Sequence, residues 1–330
     1  MTPTAKRLGE FELIAKYFAP LARKAPGAFG LKDDAAAFRP TSGQDIVLTT
    51  DVIVAGVHFF ADDPAGTIAQ KALRVNISDL AAKGATPRVY LLTLALPSWI
   101  EEPWLKSFAF GLKRDQSRFA ITLVGGDTVA TPGPLTISVT AVGEVPRGKM
   151  LTRGGAQLGD DIWVTGTIGD AALGLKIAGG GGLGLADRLA AVALGRFRVP
   201  EPRLELGVGL IGLAHACLDV SDGLVADLEH MCDVSGVGIE LQADQVPIST
   251  AASSAMAAGR TTLAELLTGG DDYELAISAP TASRKKLAAL AVASKTKLTR
   301  IGRVVGGRGV VALDRDGTQI RFARSGFTHF

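Results

Sequence analysis

Residues 89–128 read VYLLTLALPSWIEEPWLKSFAFGLKRDQSRFAITLVGGDT. The apolar run Val89–Leu96 predicts a buried strand. Residues 101–118 predict a helix, because acidic residues open it and basic residues lie near its end, as the helix dipole favours. ITLVGGDT, residues 121–128, predicts a second strand that runs into a glycine turn. This order of strand, helix and strand is typical of an α/β protein.

The same alternation continues on both sides of this stretch. Upstream, the apolar periodicity predicts a helix over 11–21, a strand over 45–50 that ends at Asp51, and a helix over 67–83. Downstream, the last predicted strands lie near 298–305, 309–313 and 319–323. A polar, glycine-rich segment, Pro146–Asp160, separates the two halves. We therefore predict an α/β (α+β) fold with two domains, residues 1–148 and 149–330.

Composition excludes several classes of protein. The 330 residues include 35 Lys and Arg against 33 Asp and Glu, a net charge of +2, which argues against a nucleic-acid-binding surface. The longest apolar run, Val89 to Ile100, is about half of what a membrane-spanning helix needs. Cys217 and Cys232 are too few for a disulfide framework and fit a reducing cytosol. We expect a soluble, cytoplasmic protein with neither a nucleic acid nor a membrane as partner.

An aspartate beside glycine, serine or threonine, at the end of an apolar strand, is the recurring pattern of the chain. Each such residue alone also fits a turn former or a helix N-cap. Together they predict carboxylates crowded at one edge of a sheet, where their repulsion would be relieved by Mg²⁺ bridging to polyphosphate oxygens. With Asp79, which lies within a helix, the pattern covers ten aspartates: Asp33, Asp34, Asp51, Asp79, Asp127, Asp170, Asp219, Asp222, Asp271 and Asp272.

Asp79 lies in the predicted helix over residues 67–83. Asn76 precedes it by one helical step, so both side chains can point into one site. An exposed ion pair between Asp79 and Lys83 is the alternative interpretation. GGGGLG, residues 179–184, fits GxGxxG but follows a predicted helix, so a linker or mobile loop is favoured over a dinucleotide site. The chain contains neither GxxxxGK[ST] nor HExxH.

The motifs resemble those of the thiamine-monophosphate kinase family, in order along nearly the whole chain. They include GEFELIAKYF, LTTDVIVAGVHF, KALRVNISDLAAKGATP, LVGGDT, LDVSDGL, GGDDYEL and GFTHF. This family is grouped with aminoimidazole-ribonucleotide synthetase, selenophosphate synthetase and the hydrogenase-maturation dehydratase. The resemblance implies an N-terminal mixed-sheet domain that binds ATP and Mg²⁺ and forms a homodimer, and a C-terminal α/β domain of the aminoimidazole-ribonucleotide synthetase type.

Carried over residue by residue, the resemblance implies three groups of site residues. The metal ligands would be Asp34, Thr49, Thr50, Asp51, Asp79, Asp127, Asp219 and Asp222. The ATP-binding residues would be Gly126, Asp127, Arg153 and Ser221. The substrate-binding residues would be His58, Asp271 and Phe327.

The implied reaction is phosphorylation of thiamine monophosphate by ATP to thiamine diphosphate, by direct in-line transfer assisted by several Mg²⁺ ions. The acceptor is a phosphate oxygen that is mostly ionised at neutral pH, so we name no general base. The alternatives are another ATP-using enzyme of the same group and a non-catalytic nucleotide or thiamine-phosphate binding protein.

Two residues depart from the family's motifs. Lys32 stands where glycine usually precedes the aspartate pair, and it adds a positive charge beside Asp33. Phe327 stands where the family usually has tyrosine. Its ring can still stack on a cationic thiazolium, but the hydroxyl contact is lost.

Overall fold

A computed structural model describes residues 9–328, and the chain divides into two compact units. Unit 1 comprises the described residues up to Leu80 together with Pro87–Glu144. Unit 2 comprises Ala81–Thr86 and the described residues from Val145 onward. The domain limits expected from the sequence, with a boundary after residue 148, stay a prediction.

Within the described residues, unit 1 contains a four-stranded sheet in the order β1-β4-β2-β3. Strands β2 and β3 are parallel, and helix α3 connects them, as the opening stretch of sequence predicts. The strands are β1 (Gln44–Val54), β2 (Thr86–Leu96), β3 (Thr122–Ala130) and β4 (Thr136–Pro146), and the helices are α1 (Glu10–Leu13), α2 (Ala65–Ala82) and α3 (Glu102–Phe119).

The predicted first helix over residues 11–21 is wrong as one regular α-helix. Helix α1 is followed by a π-helical stretch, Ile14–Phe18, and then by a 3₁₀ stretch, Ala19–Ala22. Pro20 lies in this last stretch and has no backbone N–H, so a regular ladder of i to i−4 hydrogen bonds cannot continue through it.

Buried polar contacts join α2 to α3. The Nε atom of Arg74 lies 2.6 Å from Oδ2 of Asp115, and both side chains are buried. Gln70 donates to the other carboxylate oxygen at 2.8 Å. The helices approach closely, because a Cβ at Gly111 would lie 2.3 Å from the carbonyl oxygen of Gly66. Helix α2, which carries Asp79, is therefore held rigidly.

The two faces of the unit 1 sheet differ. On one face, Tyr90 of β2 donates a hydrogen bond to Gln116 of α3, and Thr49 of β1 donates to Asp79 of α2. On the other face, β1 exposes Leu48 and Val52, and β2 exposes Leu91. Because side chains alternate along a strand, the helices cover one face and leave open a face with several exposed apolar side chains.

Unit 2 contains a six-stranded mixed sheet in the order β10-β7-β9-β5-β8-β6, counted within the described residues. Strands β10 and β7 are parallel, and the other neighbouring pairs are antiparallel. The strands are β5 (Asp161–Thr165), β6 (Ala216–Asp219), β7 (Gly238–Gln242), β8 (Leu275–Ala279), β9 (Leu298–Val305) and β10 (Gly309–Leu313). The predicted strand over residues 319–323 is wrong, since only an isolated bridge from Gln319 to Leu313 forms there.

Helices separate most strands of unit 2, and its sheet is buried on both faces. In β8, Ala276 joins one apolar cluster, whereas Leu275 and Ile277 join another. The helices are α4 (Asp170–Ala178), α5 (Asp187–Arg198), α6 (Leu204–Gly209), α7 (Leu224–Ser235), α8 (Thr250–Ala257), α9 (Leu263–Leu267) and α10 (Arg284–Ala293). No helix within residues 9–328 is long and apolar enough to cross a membrane.

Candidate functional site

The structure corrects where two of the aspartates lie. Asp51 and Asp127 were expected at strand ends, but each lies inside its strand, since β1 continues to Val54 and β3 to Ala130. The glycines before Asp127 do not end β3. A register shift opposite Tyr90 and Leu91 of β2 accommodates them instead. Asp219 does end its strand, β6.

Asp51 and Asp79 form the centre of a polar cluster in unit 1. Asp51 lies in β1 and Asp79 in α2, and their carboxyl groups are close enough to interact electrostatically. Burial, and then the negative charge of Asp79, raise the pKa of Asp51 to about 7. Thr49 Oγ1 donates to Asp79 Oδ2. The cluster therefore collects oxygen ligands whose mutual repulsion a cation would relieve.

Thr50 lies on the opposite face of β1 from this cluster. Its hydroxyl is 3.0 Å from that of Thr140 and donates to the carbonyl oxygen of Val139. Because successive side chains of a strand point to opposite faces, Thr50 and Thr49 cannot both turn their hydroxyls toward Asp79.

A cavity of about 610 Å³ in unit 1 contains other site residues predicted from the sequence. Asp34, Gly126 and Asp127 line it, together with apolar side chains such as Phe18 and Leu91. Gly126 has φ +151°, and a Cβ there would lie 1.8 Å from the carbonyl oxygen of Leu92, so only glycine fits. The cavity combines acidic groups with an apolar wall, and its volume is in the range of small-molecule sites.

His58 belongs to a tight turn directly after β1. Its Nδ1 accepts a hydrogen bond from the Val54 N–H at 3.1 Å, so the neutral ring carries its proton on Nε2. The buried Lys71 of α2 donates to the His58 carbonyl oxygen at 2.8 Å. Hydrogen bonds to β1 and to α2 therefore fix the turn.

In unit 2, Ser221 and Asp222 lie in the turn between β6 and α7. The Asp227 carboxylate accepts hydrogen bonds from the backbone N–H groups of Ser221, Asp222 and Gly223, at 3.0, 3.1 and 3.2 Å. Burial, and then the charge of Asp222, raise the pKa of Asp227 to about 7. Asp227 therefore shapes the turn.

The segment Gly269–Glu274, which we call the GGDDYE segment, packs against this turn. The N–H of Asp271 donates to the carbonyl oxygen of Ser221 at 2.8 Å. Asp271 and Tyr273 have φ values of +70° and +52°, a left-handed conformation that disfavours side chains other than glycine. The Tyr273 hydroxyl donates to the Asp271 carboxylate at 3.3 Å.

Phe327 also reaches the turn after β6. Its N–H donates to the carbonyl oxygen of Asp222 at 2.9 Å, and its side chain is 43% exposed. Arg153 is exposed, and the residue before it, Thr152, accepts a hydrogen bond from Cys217 of β6. Unit 2 thus brings Ser221, Asp222, Asp271 and Phe327 together. The last two residues of the GFTHF motif lie outside the described residues.

The sequence did not lead us to predict Asp227, and it predicted Asp272 only as one of the ten aspartates of the recurring pattern. The Asp272 carboxylate accepts hydrogen bonds from Gly169 N–H at 2.7 Å and Ala171 N–H at 3.2 Å, at the start of α4. Its burial raises its pKa to about 8. An aspartate four residues after the SDG turn was the available signal for Asp227. Asp272 caps a helix distant in sequence, so no local pattern could identify its role.

The carboxylate and hydroxyl oxygens of Asp51, Asp79 and Thr49 fit a hard divalent cation such as Mg²⁺. Among residues 9–328, however, no group of three His, Cys, Asp or Glu side chains is arranged to hold a metal ion. Water and phosphate oxygens would have to complete the coordination, as is usual for Mg²⁺.

We predict that Asp51→Asn stabilises the metal-free protein at pH 8 by about 2 kcal/mol, because it removes a charge that burial, and then the repulsion from Asp79, make unfavourable. The folded pKa of Asp51 exceeds its ordinary value of 3.8, so the wild type loses stability as pH rises from about 4 to about 7. The gain should therefore be smaller at pH 5. Urea unfolding in EDTA measures both values. The exposed Asp62→Asn is the control, and an equal gain at both pH values would contradict this explanation.

We also predict that Asp271→Gly is more stable than Asp271→Ala by about 1 kcal/mol. Both variants lose the carboxylate, but only glycine accepts φ +70° without a steric cost. Thermal or urea unfolding of the two variants measures the difference. Equal stability, or a more stable alanine variant, would show that the segment is unstrained at this residue.

Comparison with known proteins gives a consistent assignment. Residues 32–145 match the AIR synthase related protein N-terminal domain, and residues 157–314 match the corresponding C-terminal domain. A thiamine-monophosphate kinase of Caulobacter vibrioides is 40% identical, over 99% of this chain and 92% of that protein. The crystal structure of thiamine-monophosphate kinase from Stenotrophomonas maltophilia is 42% identical, with a TM-score of 0.78 over 88% of this chain and 90% of that one.

A second structure, AaThiL complexed with AMPPCP and TMP, is 32% identical, with a TM-score of 0.78 over 98% of this chain and 99% of that one. The agreement in sequence and in structure extends through both domains. The chain belongs to the thiamine-monophosphate kinase family.

Proposed function

We propose that this protein transfers the γ-phosphoryl group of ATP to thiamine monophosphate, giving ADP and thiamine diphosphate. The observation that carries this proposal is the near-complete match to curated thiamine-monophosphate kinases, together with a relative bound to AMPPCP, an ATP analogue, and TMP.

The cavity of unit 1 is the proposed place of the nucleotide. Its volume of about 610 Å³ suits a molecule of that size. Gly126 lines the cavity and is proposed to contact ATP there, and the apolar wall of the cavity suits a base. Asp34 and Asp127 lie at the same cavity, so they are proposed to contact the nucleotide through Mg²⁺.

The best-supported residues for holding Mg²⁺ are Thr49, Asp51 and Asp79. Thr49 donates a hydrogen bond to Asp79, and the carboxylates of Asp51 and Asp79 repel each other. When bound there, Mg²⁺ would neutralise the repulsion between ATP and the acceptor phosphate. Thr50, Asp219 and Asp222 remain proposed ligands from the resemblance alone.

Asp271 and Phe327, which unit 2 brings together, are proposed to bind thiamine monophosphate, and the same role for His58 rests on the resemblance alone. The Phe327 ring offers a π-face to the thiazolium cation, and the Asp271 carboxylate offers it an opposite charge. His58 can donate from Nε2, since Nδ1 accepts from the backbone. Arg153 and Ser221 are proposed to contact ATP.

The chemical step needs a nucleophile, and the acceptor phosphate supplies it. A phosphate oxygen of thiamine monophosphate attacks the γ-phosphorus, the bond to the β-phosphate oxygen breaks, and ADP leaves. The acceptor is mostly ionised at neutral pH, so no side chain has to remove a proton. The protein's contribution is to position two polyanions in line and to balance their charge.

A homodimer is proposed through the open face of the unit 1 sheet. Strand β1, at the edge of the sheet, exposes Ile46, Leu48 and Val52 on this face, with Leu48 67% exposed. Exposed apolar side chains along an edge strand favour an interface, and a second copy of this chain is the proposed occupant. The cytoplasmic location stays a prediction.

We predict that Leu48→Glu converts the dimer into a monomer, because it places a charge among the exposed apolar side chains of β1. Light scattering coupled to size-exclusion chromatography measures the mass. Val234→Glu, an exposed position in unit 2, is the control and should leave the mass unchanged. A wild type that is monomeric at high concentration, or a Leu48→Glu variant that stays dimeric, would contradict the proposed interface.

We predict that Asp51→Asn lowers kcat at least about 100-fold at saturating Mg²⁺, because the charge that holds the cation is lost. ADP release, coupled to an optical readout, is measured with and without thiamine monophosphate. Asp62→Asn is the control. Normal turnover by Asp51→Asn would refute the assignment of Asp51. Tight binding of thiamine monophosphate by the wild type, without ADP release, would support a binding protein instead.

A further inference from the structure

Behind the GGDDYE segment lies a buried ion cluster that the proposed site does not include. Glu274 is fully buried, and two arginines meet its carboxylate. Arg196 Nη2 lies 2.7 Å from Oε1, and Arg203 Nε lies 2.6 Å from Oε2. Thr165 at the end of β5 donates to Oε2 at 2.6 Å. The negative charge of the carboxylate is thus balanced, and both of its oxygens accept hydrogen bonds.

The neighbouring backbone leaves the room that this carboxylate needs. At Gly166, which has φ +57°, a Cβ would lie 2.1 Å from Glu274 Oε1. Any side chain at that position would force the carboxylate away from its arginines. The cluster therefore depends on the residue that follows β5 as well as on α5.

The backbone of the GGDDYE segment is also held by hydrogen bonds, one of which comes from the cluster. Arg196 Nη2 donates to the carbonyl oxygen of Asp272 at 3.1 Å. The N–H of Tyr273 donates to Val220, and the carbonyl oxygen of Glu274 accepts from the N–H of Val220. The buried side chains of Asp272 and Glu274 are therefore fixed points of the segment, in addition to the backbone hydrogen bonds of Asp271 and Tyr273.

Two residues of the segment have positive φ. Asp271 directly precedes Asp272, and Tyr273 lies between Asp272 and Glu274. A left-handed conformation of residues other than glycine persists only where the surrounding contacts enforce it. Apolar groups of similar volume often stabilise a fold as well as a buried ion pair does. Beyond stability, the ion cluster fixes the orientation of the segment, because forked guanidinium groups hold the carboxylate and the peptide together.

We propose that Glu274, with Arg196 and Arg203, is a positioning group that holds the GGDDYE segment so that Asp271 faces the thiamine phosphate substrate. This inference rests on the proposed function. It assigns to the cluster no contact with substrate or with the transferred phosphoryl group.

The test compares Glu274→Gln with wild type. The variant keeps the shape of the side chain but loses the charge that orients both arginines. The KM for thiamine monophosphate should rise about tenfold, the effect expected when one charge-assisted hydrogen bond is misplaced. The KM for ATP should rise less than the KM for thiamine monophosphate, because Asp227 holds the turn that carries Ser221 independently of this cluster.

Asp161→Asn is the matched control for lost stability. Asp161 is buried at the other end of β5 and pairs with Arg284 at 2.6 Å. This variant should lower the melting temperature without changing the KM for thiamine monophosphate. A rise in KM in both variants would indicate a general effect of destabilisation and would overturn the positioning role.

Arg196→Lys keeps the test decisive if Glu274→Gln does not fold. It retains the charge but loses the forked donor that joins Glu274 to Asp272, so it should weaken binding of thiamine monophosphate, measured by calorimetry without ATP. Binding within about twofold of wild type in every folded variant would overturn the inference. A wild type that releases no ADP with thiamine monophosphate would instead overturn the proposed function.

Discussion

The repulsion between Asp51 and Asp79 is the constraint on which the account of unit 1 depends. Burial of Asp51, and then the charge of the neighbouring Asp79, raise the pKa of Asp51 to about 7. A fold selected for stability alone would not keep this arrangement, because each charge destabilises the other. The Arg74–Asp115 pair ties α2, which carries Asp79, to α3. Divalent cation binding is the simplest reason for the arrangement of Asp51 and Asp79.

Unit 2 shows a similar balance between local cost and surrounding support. Asp271 and Tyr273 adopt unfavourable backbone angles, while Asp272 and Glu274 are tied to α4, α5 and β5. In this short segment, residues with a strained backbone therefore alternate with residues whose side chains are anchored. Strain at a site is tolerated when it fixes the direction of a functional side chain. Both units thus place proposed ligand-binding carboxylates on a backbone that is held from several sides.

The sequence predicted the strand–helix–strand order of β2, α3 and β3, because periodicity and helix-end charges are local signals. It misjudged where β1 and β3 end, since a register shift lets the glycines of GGDT continue a strand. The aspartate pattern and the resemblance both predicted Asp51 and Asp79 as site residues, and the structure brings these two side chains together. The sequence could not predict Glu274 with Arg196 and Arg203, because that cluster joins residues about 70 positions apart and exists only in the folded chain.

The central claim is that ATP phosphorylates thiamine monophosphate directly. The most direct measurement follows a heavy oxygen isotope in the γ-phosphoryl group of ATP, with mass spectrometry of the products formed by the wild-type protein. The account predicts that the label appears in the terminal phosphate of thiamine diphosphate, in amounts equal to the ADP formed. Label found in inorganic phosphate, with thiamine monophosphate unchanged, would contradict it.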